Sequence, residues 1–183
     1  MITIDGLRAV RPLVDGLATA CDFNLDRAAR DHNWIRLAPP LPFTVLAGDS
    51  CGGVFLAYGA GAVEARPILY ATSEGRAGRI ADRVDECVAL LLALPGWRDV
   101  LKFSGGGDLD AMRRAAVHLG QDEDDLDDPP AAEVRARILA RLPLPALDDP
   151  VRMLYERVRA TDCTVVADDG YRYETLFNRF TTD

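Results

Sequence analysis

Histidine is nearly absent. The 183 residues hold two, His32 and His118, which leaves little for general-base chemistry or nitrogen ligation of a metal. The four cysteines, Cys21, Cys51, Cys87 and Cys163, are scattered and form no Cys-x-x-Cys pair. Neither a zinc site nor a thiol redox motif is therefore spelled out, and free, buried thiols in a reducing compartment are the expectation. No apolar run approaches the ~20 residues of a membrane-spanning helix. The stretch from Met1 to Cys21 is interrupted by Asp5, Arg8, Arg11 and Asp15, whereas a secretory leader needs ~7–15 unbroken apolar residues. A cytoplasmic location is expected. Basic residues are in deficit as well: 21 Lys and Arg stand against 29 Asp and Glu, a net charge of −8. Such a chain repels phosphate backbones and anionic membranes, so nucleic acid and membrane are excluded as partners. A basic protein surface is the electrostatically favoured one.

What is present suits one domain with a substantial core, since 49% of residues are hydrophobic. Leu7, Val10, Val14, Leu17 and Cys21 recur at helical spacing, with Pro12 breaking or kinking the run. Asn24 is placed to cap a short helix over 25–32. Beyond Pro39, Pro40 and Pro42, apolar runs at 43–47, 54–58 and 67–71 alternate with Gly-rich turns, the pattern of an antiparallel meander. Residues 80–94 read as the clearest helix, with Ile80, Val84, Cys87, Val88 and Leu91 on one face and Asp82, Arg83, Asp85 and Glu86 on the other. Pro95-Gly96 ends it. Trp97 to Phe103 follows as a short helix or extended segment. Gly105-Gly106-Gly107 reads as a flexible joint, and Asp108 as the cap of the next helix. The segment 122–128 is acidic at every position except Leu126 and reads as a solvated loop before Pro129-Pro130. Helices at 131–141 and 150–160 come next. Asp169-Gly170 between apolar runs marks a hairpin over 163–175, because Gly takes the positive φ of the turn.

Gly48-Asp49-Ser50-Cys51-Gly52-Gly53 matches the Gly-x-Ser-x-Gly elbow and resembles the segment around the nucleophile of trypsin-like proteases. An elbow requires a helix after the serine, and here a strand pattern follows. Gly, Asp and Ser are also what a tight hairpin turn needs. Ser104 to Asp108 precedes a helix N-terminus but lacks the Gly-Lys-Ser/Thr of a phosphate loop. The run Asp122-Glu123-Asp124-Asp125-Leu126-Asp127-Asp128 fails as a calcium loop, since Leu126 and Asp127 fall where an oxygen ligand and a glycine are required. No catalytic centre, metal site or cofactor site is read from these motifs. The aromatics Trp97, Phe103, Tyr155, Phe177 and Phe180 read as core packing.

Residues 43–103 resemble the SUKH superfamily of cell-wall-assembly regulators and bacterial toxin-immunity proteins. The stretch FTVLAGDSCGGVFLAYG is similar to that family's first hairpin, with Asp49 and Gly52-Gly53 at the turn. ARPILYATSEGRAGRIADRVDECVALLLALPGW is similar to its next strand, turn and helix. The resemblance implies an α+β fold with a central, mainly antiparallel sheet packed by helices, and non-catalytic work as a toxin inhibitor or adaptor.

The expected architecture is an α+β core over residues 1–104, with a C-terminal helical segment ending in a β-hairpin over 105–183, packed on the core as one domain. The expected function is a non-catalytic protein-binding module, an immunity protein that blocks a bacterial toxin. The alternative is a regulatory or scaffold adaptor, and a third reading is an enzyme using Ser50. Glu123, Asp124, Asp125, Asp127, Asp49 and Glu74 are the candidate partner-binding residues.

Overall fold

The computed structural model describes residues 2–29, 34–125 and 129–182, with the backbone alone described over 121–125 and 129–130. It is an α+β protein built on a five-stranded sheet. Strands β2 (Phe43–Gly48), β3 (Val54–Tyr58), β4 (Ile68–Ala71) and β5 (Arg76–Ala81) form an antiparallel meander. Strand β7 (Glu174–Thr175) lies parallel to β5. A two-stranded ribbon, β1 (Arg36–Ala38) with β6 (Thr164–Val166), covers one face of the sheet. The helices α1 (Ile4–Arg8), α2 (Arg11–Cys21), α3 (Val84–Ala93), α4 (Trp97–Lys102) and α7 (Pro150–Arg159) contribute to the core on the other. Helices α5 (Leu109–Asp125) and α6 (Pro129–Arg141) pack outside them, α5 on α4 and α7, and α6 on α2.

The apolar runs read as strands are strands because successive side chains point to opposite faces. Phe55 and Ala57 enter the helix-side core, while Val54, Leu56 and Tyr58 enter the ribbon-side core. Both faces being covered, every residue of β3 and of β4 is buried, which is why these segments are apolar throughout rather than alternating. Pro12 occupies the first turn of α2, where its missing N–H costs nothing, so the N-terminal run divides into two helices at Ala9–Val10. Asn24 accepts from the Asp26 N–H at 3.0 Å, but the turn it starts is a 3₁₀ segment, Leu25–Ala29.

Several elements differ from the sequence reading. Ile80 belongs to β5, and the helix begins at Val84. The strand Arg76–Ala81 hides from pattern reading because, Ile80 apart, its buried residues Ala77, Gly78 and Ala81 are small. Gly78 is small for a reason: a Cβ there would stand 3.1 Å from Leu176 Cδ1 and 3.3 Å from Thr161 Oγ1. The polar face of α3 is not solvated, since Asp85 and Glu86 are buried. Arg157 of α7 covers it, pairing with Glu86 at 2.8 Å and with Asp82 at 2.9 Å. The triple glycine is an anchored corner, not a free joint. Its residues take φ of 57°, 83° and 99°. The Gly105 and Gly106 N–H groups donate to the Phe180 and Asn178 carbonyls at 2.8 and 2.6 Å. Asp108 does cap α5, accepting from the Ala111 N–H at 2.9 Å. The acidic segment expected as a loop is helical through Asp125.

The chain reverses at Asp169-Gly170 as read from the sequence. Gly170 has φ 86°, and its N–H donates to the Ala167 carbonyl at 2.9 Å. The paired arms are short, held by Ala167 N–H to Tyr171 O and Tyr173 N–H to Val165 O, both 2.9 Å. The outgoing arm then leaves β6 and becomes β7 against β5. Arg76 holds that strand, donating to the Thr175 and Phe177 carbonyls at 3.0 and 3.1 Å. Replacing Gly170 by Val forces a β-branched residue into left-handed backbone, so G170V is expected to lower unfolding free energy by roughly 1–3 kcal/mol. Urea denaturation of the two proteins measures this, and equal midpoints would refute the turn geometry.

Candidate interaction surface

The Gly48–Gly53 segment connects β2 to β3, so its serine sits in a strand-turn-strand and not at a strand-to-helix elbow. Asp49 organises it. Its carboxylate is fully buried and accepts from the Cys51 N–H at 2.9 Å and the Gly53 N–H at 2.7 Å. The Tyr70 hydroxyl donates to the same group, and Arg98 pairs with it at 3.1 Å. Burial drives Tyr70 well above the ordinary phenol range, so its hydroxyl remains a donor. The Arg98 guanidinium lies 5.5 Å from the Tyr70 ring centre and 5.0 Å from that of Trp97, a stacking that its planar shape permits. Gly53 is required by close approach, since a Cβ there would come within 2.5 Å of the Tyr70 hydroxyl and 2.6 Å of Asp49 Oδ2.

Ser50 is engaged from the other side. Its hydroxyl donates to Asp22 Oδ2 at 2.7 Å and its N–H to Asp22 Oδ1 at 2.9 Å. Asp22 is the left-handed residue that ends α2, at φ 53°. The turn is thereby tied to the helix layer. His118 is exposed on α5 and makes no hydrogen bond to Ser50, and His32 lies outside the described residues.

The candidate partner-binding residues separate into distinct places. Asp49 is corrected: a buried carboxylate with its acceptor sites taken offers nothing to a partner, and it acts as the pin of the turn. Glu74 is exposed at the β4–β5 turn and accepts from the Ser73 hydroxyl at 2.8 Å. Glu123, Asp124 and Asp125 lie along the last turn of α5, and Asp127 lies outside the described residues. Sequence reasoning missed the aromatic side chains near Glu74. Trp34 stacks on Tyr173 with centroids 6.2 Å apart, and Tyr171 lies 6.0 Å from Tyr173. Their spacing, Tyr171 and Tyr173 two apart on one arm of the turn, was the available signal. Of the aromatics read as core, Trp97 is buried, but Phe180 is 56% exposed.

Among the described residues, no group of three or more His, Cys, Asp or Glu side chains is placed to hold a metal ion, and no helix is long and apolar enough to cross a membrane. Cys21, Cys87 and Cys163 are buried, and Cys51 is exposed at the β2–β3 turn. Comparison of the chain with protein-family models, with curated proteins and with solved structures finds no match.

Two outcomes test this geometry. Asp49→Ala leaves Arg98, Tyr70 and two N–H groups without their acceptor. It is expected to cost roughly 3–5 kcal/mol in chemical denaturation, while Ser50→Ala, losing one exposed hydrogen bond, costs about 1 kcal/mol or less. Equal effects would disprove the pin. Burial pushes Cys21 up to about 12 and Cys163 up to about 11, and raises Cys87 as well. Iodoacetamide at pH 8 should therefore label native protein once, on Cys51, with the other three thiols reacting only after denaturation. Peptide mass spectrometry reads the site, and fast labelling of Cys163 in native protein would contradict the packing of the β1–β6 ribbon.

Proposed function

We propose that this chain is a non-catalytic protein-binding module: a cytoplasmic immunity protein of SUKH type that binds a bacterial toxin through the toxin's basic surface and blocks it. The observation that carries this reading is the use made of the Gly48–Gly53 string. Its most enzyme-like residues are consumed in folding, with Asp49 buried as a pin and Ser50 bound to Asp22. The chain as a whole carries a net charge of −8. The order of strands β2 to β5 followed by α3 is in keeping with the resemblance over residues 43–103. The density of acidic residues over 122–128 supports an electrostatic role, because like charges close in sequence repel one another and favour a cationic partner. Toxins that act on nucleic acid carry basic clefts, and acidic residues on an inhibitor accelerate encounter with them.

The test is co-expression with the toxin encoded by the adjacent gene. Growth is expected to be restored, and the purified proteins are expected to form a stoichiometric complex. Neutralising Glu123, Asp124, Asp125 and Asp127 together should slow association about 10-fold at low salt, with the difference shrinking at high salt and dissociation changing less. Stopped-flow or surface-binding kinetics measure both rates. Absence of any complex with a neighbouring product would turn the reading to a regulatory or scaffold adaptor.

A further inference from the structure

The ribbon side of the molecule carries a surface that the reading above does not use. Tyr171 and Tyr173 project from the outgoing arm of the C-terminal turn, and Trp34 arrives beside them just ahead of β1. The three rings form a row, Tyr171 next to Tyr173 and Tyr173 stacked on Trp34 at an interplanar angle of 22°. The row is held at its outer end by Gly75. A Cβ on that glycine would lie 2.8 Å from Tyr171 Cε1, so the ring rests directly on the β4–β5 turn. That contact brings Glu74 to one border of the row. Asp169, which accepts from the Tyr171 N–H at 2.9 Å, brings a second carboxylate, and Asp168 a third. Tyr173 lies within reach of the first two: its phenol is raised by burial first, and then by Asp169, Tyr171 and Glu74. Tyr171 remains 49% exposed.

Elsewhere the protein stacks its own cations on its aromatic rings. Arg98 lies over Tyr70 and Trp97, Lys102 over Phe103 and Arg159 over Tyr155. Among the described residues, no cation stands over Trp34, Tyr171 or Tyr173. Asp168 is paired with Arg36 at 3.0 Å, but Glu74 and Asp169 have no basic partner among the described residues. Ring faces and unpaired carboxylates side by side are the two components of a guanidinium site. Trp34 and Tyr173 pack partly on the ribbon-side core, which holds them in place, and Tyr171 is exposed; Tyr and Trp supply large contact area at little entropic cost.

We propose that the Trp34–Tyr173–Tyr171 row, bordered by Glu74 and Asp169, is the docking face for an arginine side chain projecting from a basic partner protein. This rests on the reading of the chain as a module for a basic protein surface and names the face that does the binding. The acidic segment 122–128 then acts on encounter, and the aromatic row holds the bound state. Arginine is favoured over lysine because its planar group stacks on a ring while donating to a carboxylate.

The experiment uses the full chain, ¹⁵N-labelled, titrated with the peptide Ac-Gly-Arg-Ala-Arg-Gly-NH₂ and with its lysine and citrulline counterparts. Shifts are expected at the Trp34 indole and at the amides of Glu74, Tyr171 and Tyr173, with affinity falling from arginine to lysine to citrulline. Tyr171→Ala should weaken the arginine peptide about five-fold. Glu74→Gln, a change on an exposed turn that leaves the fold intact, should weaken it about two-fold. Circular dichroism checks the folding of Y171A, and if that variant unfolds, the shift map and E74Q decide. Shifts confined to 122–128, or binding untouched in both variants, would overturn the proposal. Peptide binding at this face without rescue from the adjacent toxin would sink the immunity reading alone. Rescue with no shift at these residues would sink the docking face alone.

Discussion

Strands β3 and β4 are buried on both faces, and the rest of the molecule is arranged to make that burial possible. Each large side chain removed from water there contributes roughly 1.5–3 kcal/mol, and the backbone polar groups have no recourse to solvent. The antiparallel ladder satisfies those groups. Two covering layers are then required. Helices supply one, with Leu17, Val88, Leu91 and Trp97 against Phe55 and Tyr70. The other is the β1–β6 ribbon, which sets Ile35, Leu37, Cys163 and Val165 against Leu56, Tyr58 and Leu69. The ribbon joins residues more than a hundred positions apart in the chain, so the second face of the sheet cannot be closed until the C-terminal third arrives.

Charge enters this core only where it is matched. Arg157 reaches from α7 to Glu86 and Asp82, and Arg98 reaches from α4 to Asp49. Each arginine bridges layers that are distant in sequence, and each acidic partner sits at the start of an element or in a turn. Buried pairs of this kind add little net stability against an apolar substitute, but losing one partner is costly. They tie α7 to α3 and α4 to the β2–β3 turn. The same accounting separates structural from available carboxylates. Asp49 and Glu86 are spoken for, whereas Glu74 and Asp169 face solvent beside aromatic rings.

The meander was legible because β2, β3 and β4 are uninterrupted apolar runs bounded by Gly-rich turns, and Gly170 was legible because Asp-Gly has few other uses between strands. The strand β5 was not, since Arg76, Ala77, Gly78 and Arg79 carry no periodic signal and Ile80 fits a helix face equally well. Its small residues answer to Leu176 and Thr161, which approach from the far end of the chain. Glu86 reads as solvated for the same reason: nothing local announces that Arg157 will cover it, whereas Asp85 pairs with its neighbour Arg83. Asp49 looked like a surface turn residue, and burial by Tyr70 and Arg98 made it a pin.

The sequence by itself determined the class of the fold, the antiparallel order from β2 to β4, the positions of most helices, the caps at Asn24 and Asp108, and the acidic balance of the chain. These follow from local spacing, local turn chemistry and summed charge, which need no knowledge of distant neighbours. Only the tertiary structure decided which charges are buried, that β7 would add in parallel to β5, and that Trp34 would meet Tyr171 and Tyr173. Those outcomes depend on contacts between residues far apart in the chain, and a one-dimensional pattern does not record which distant side chain will arrive to pair, cover or leave exposed a given position.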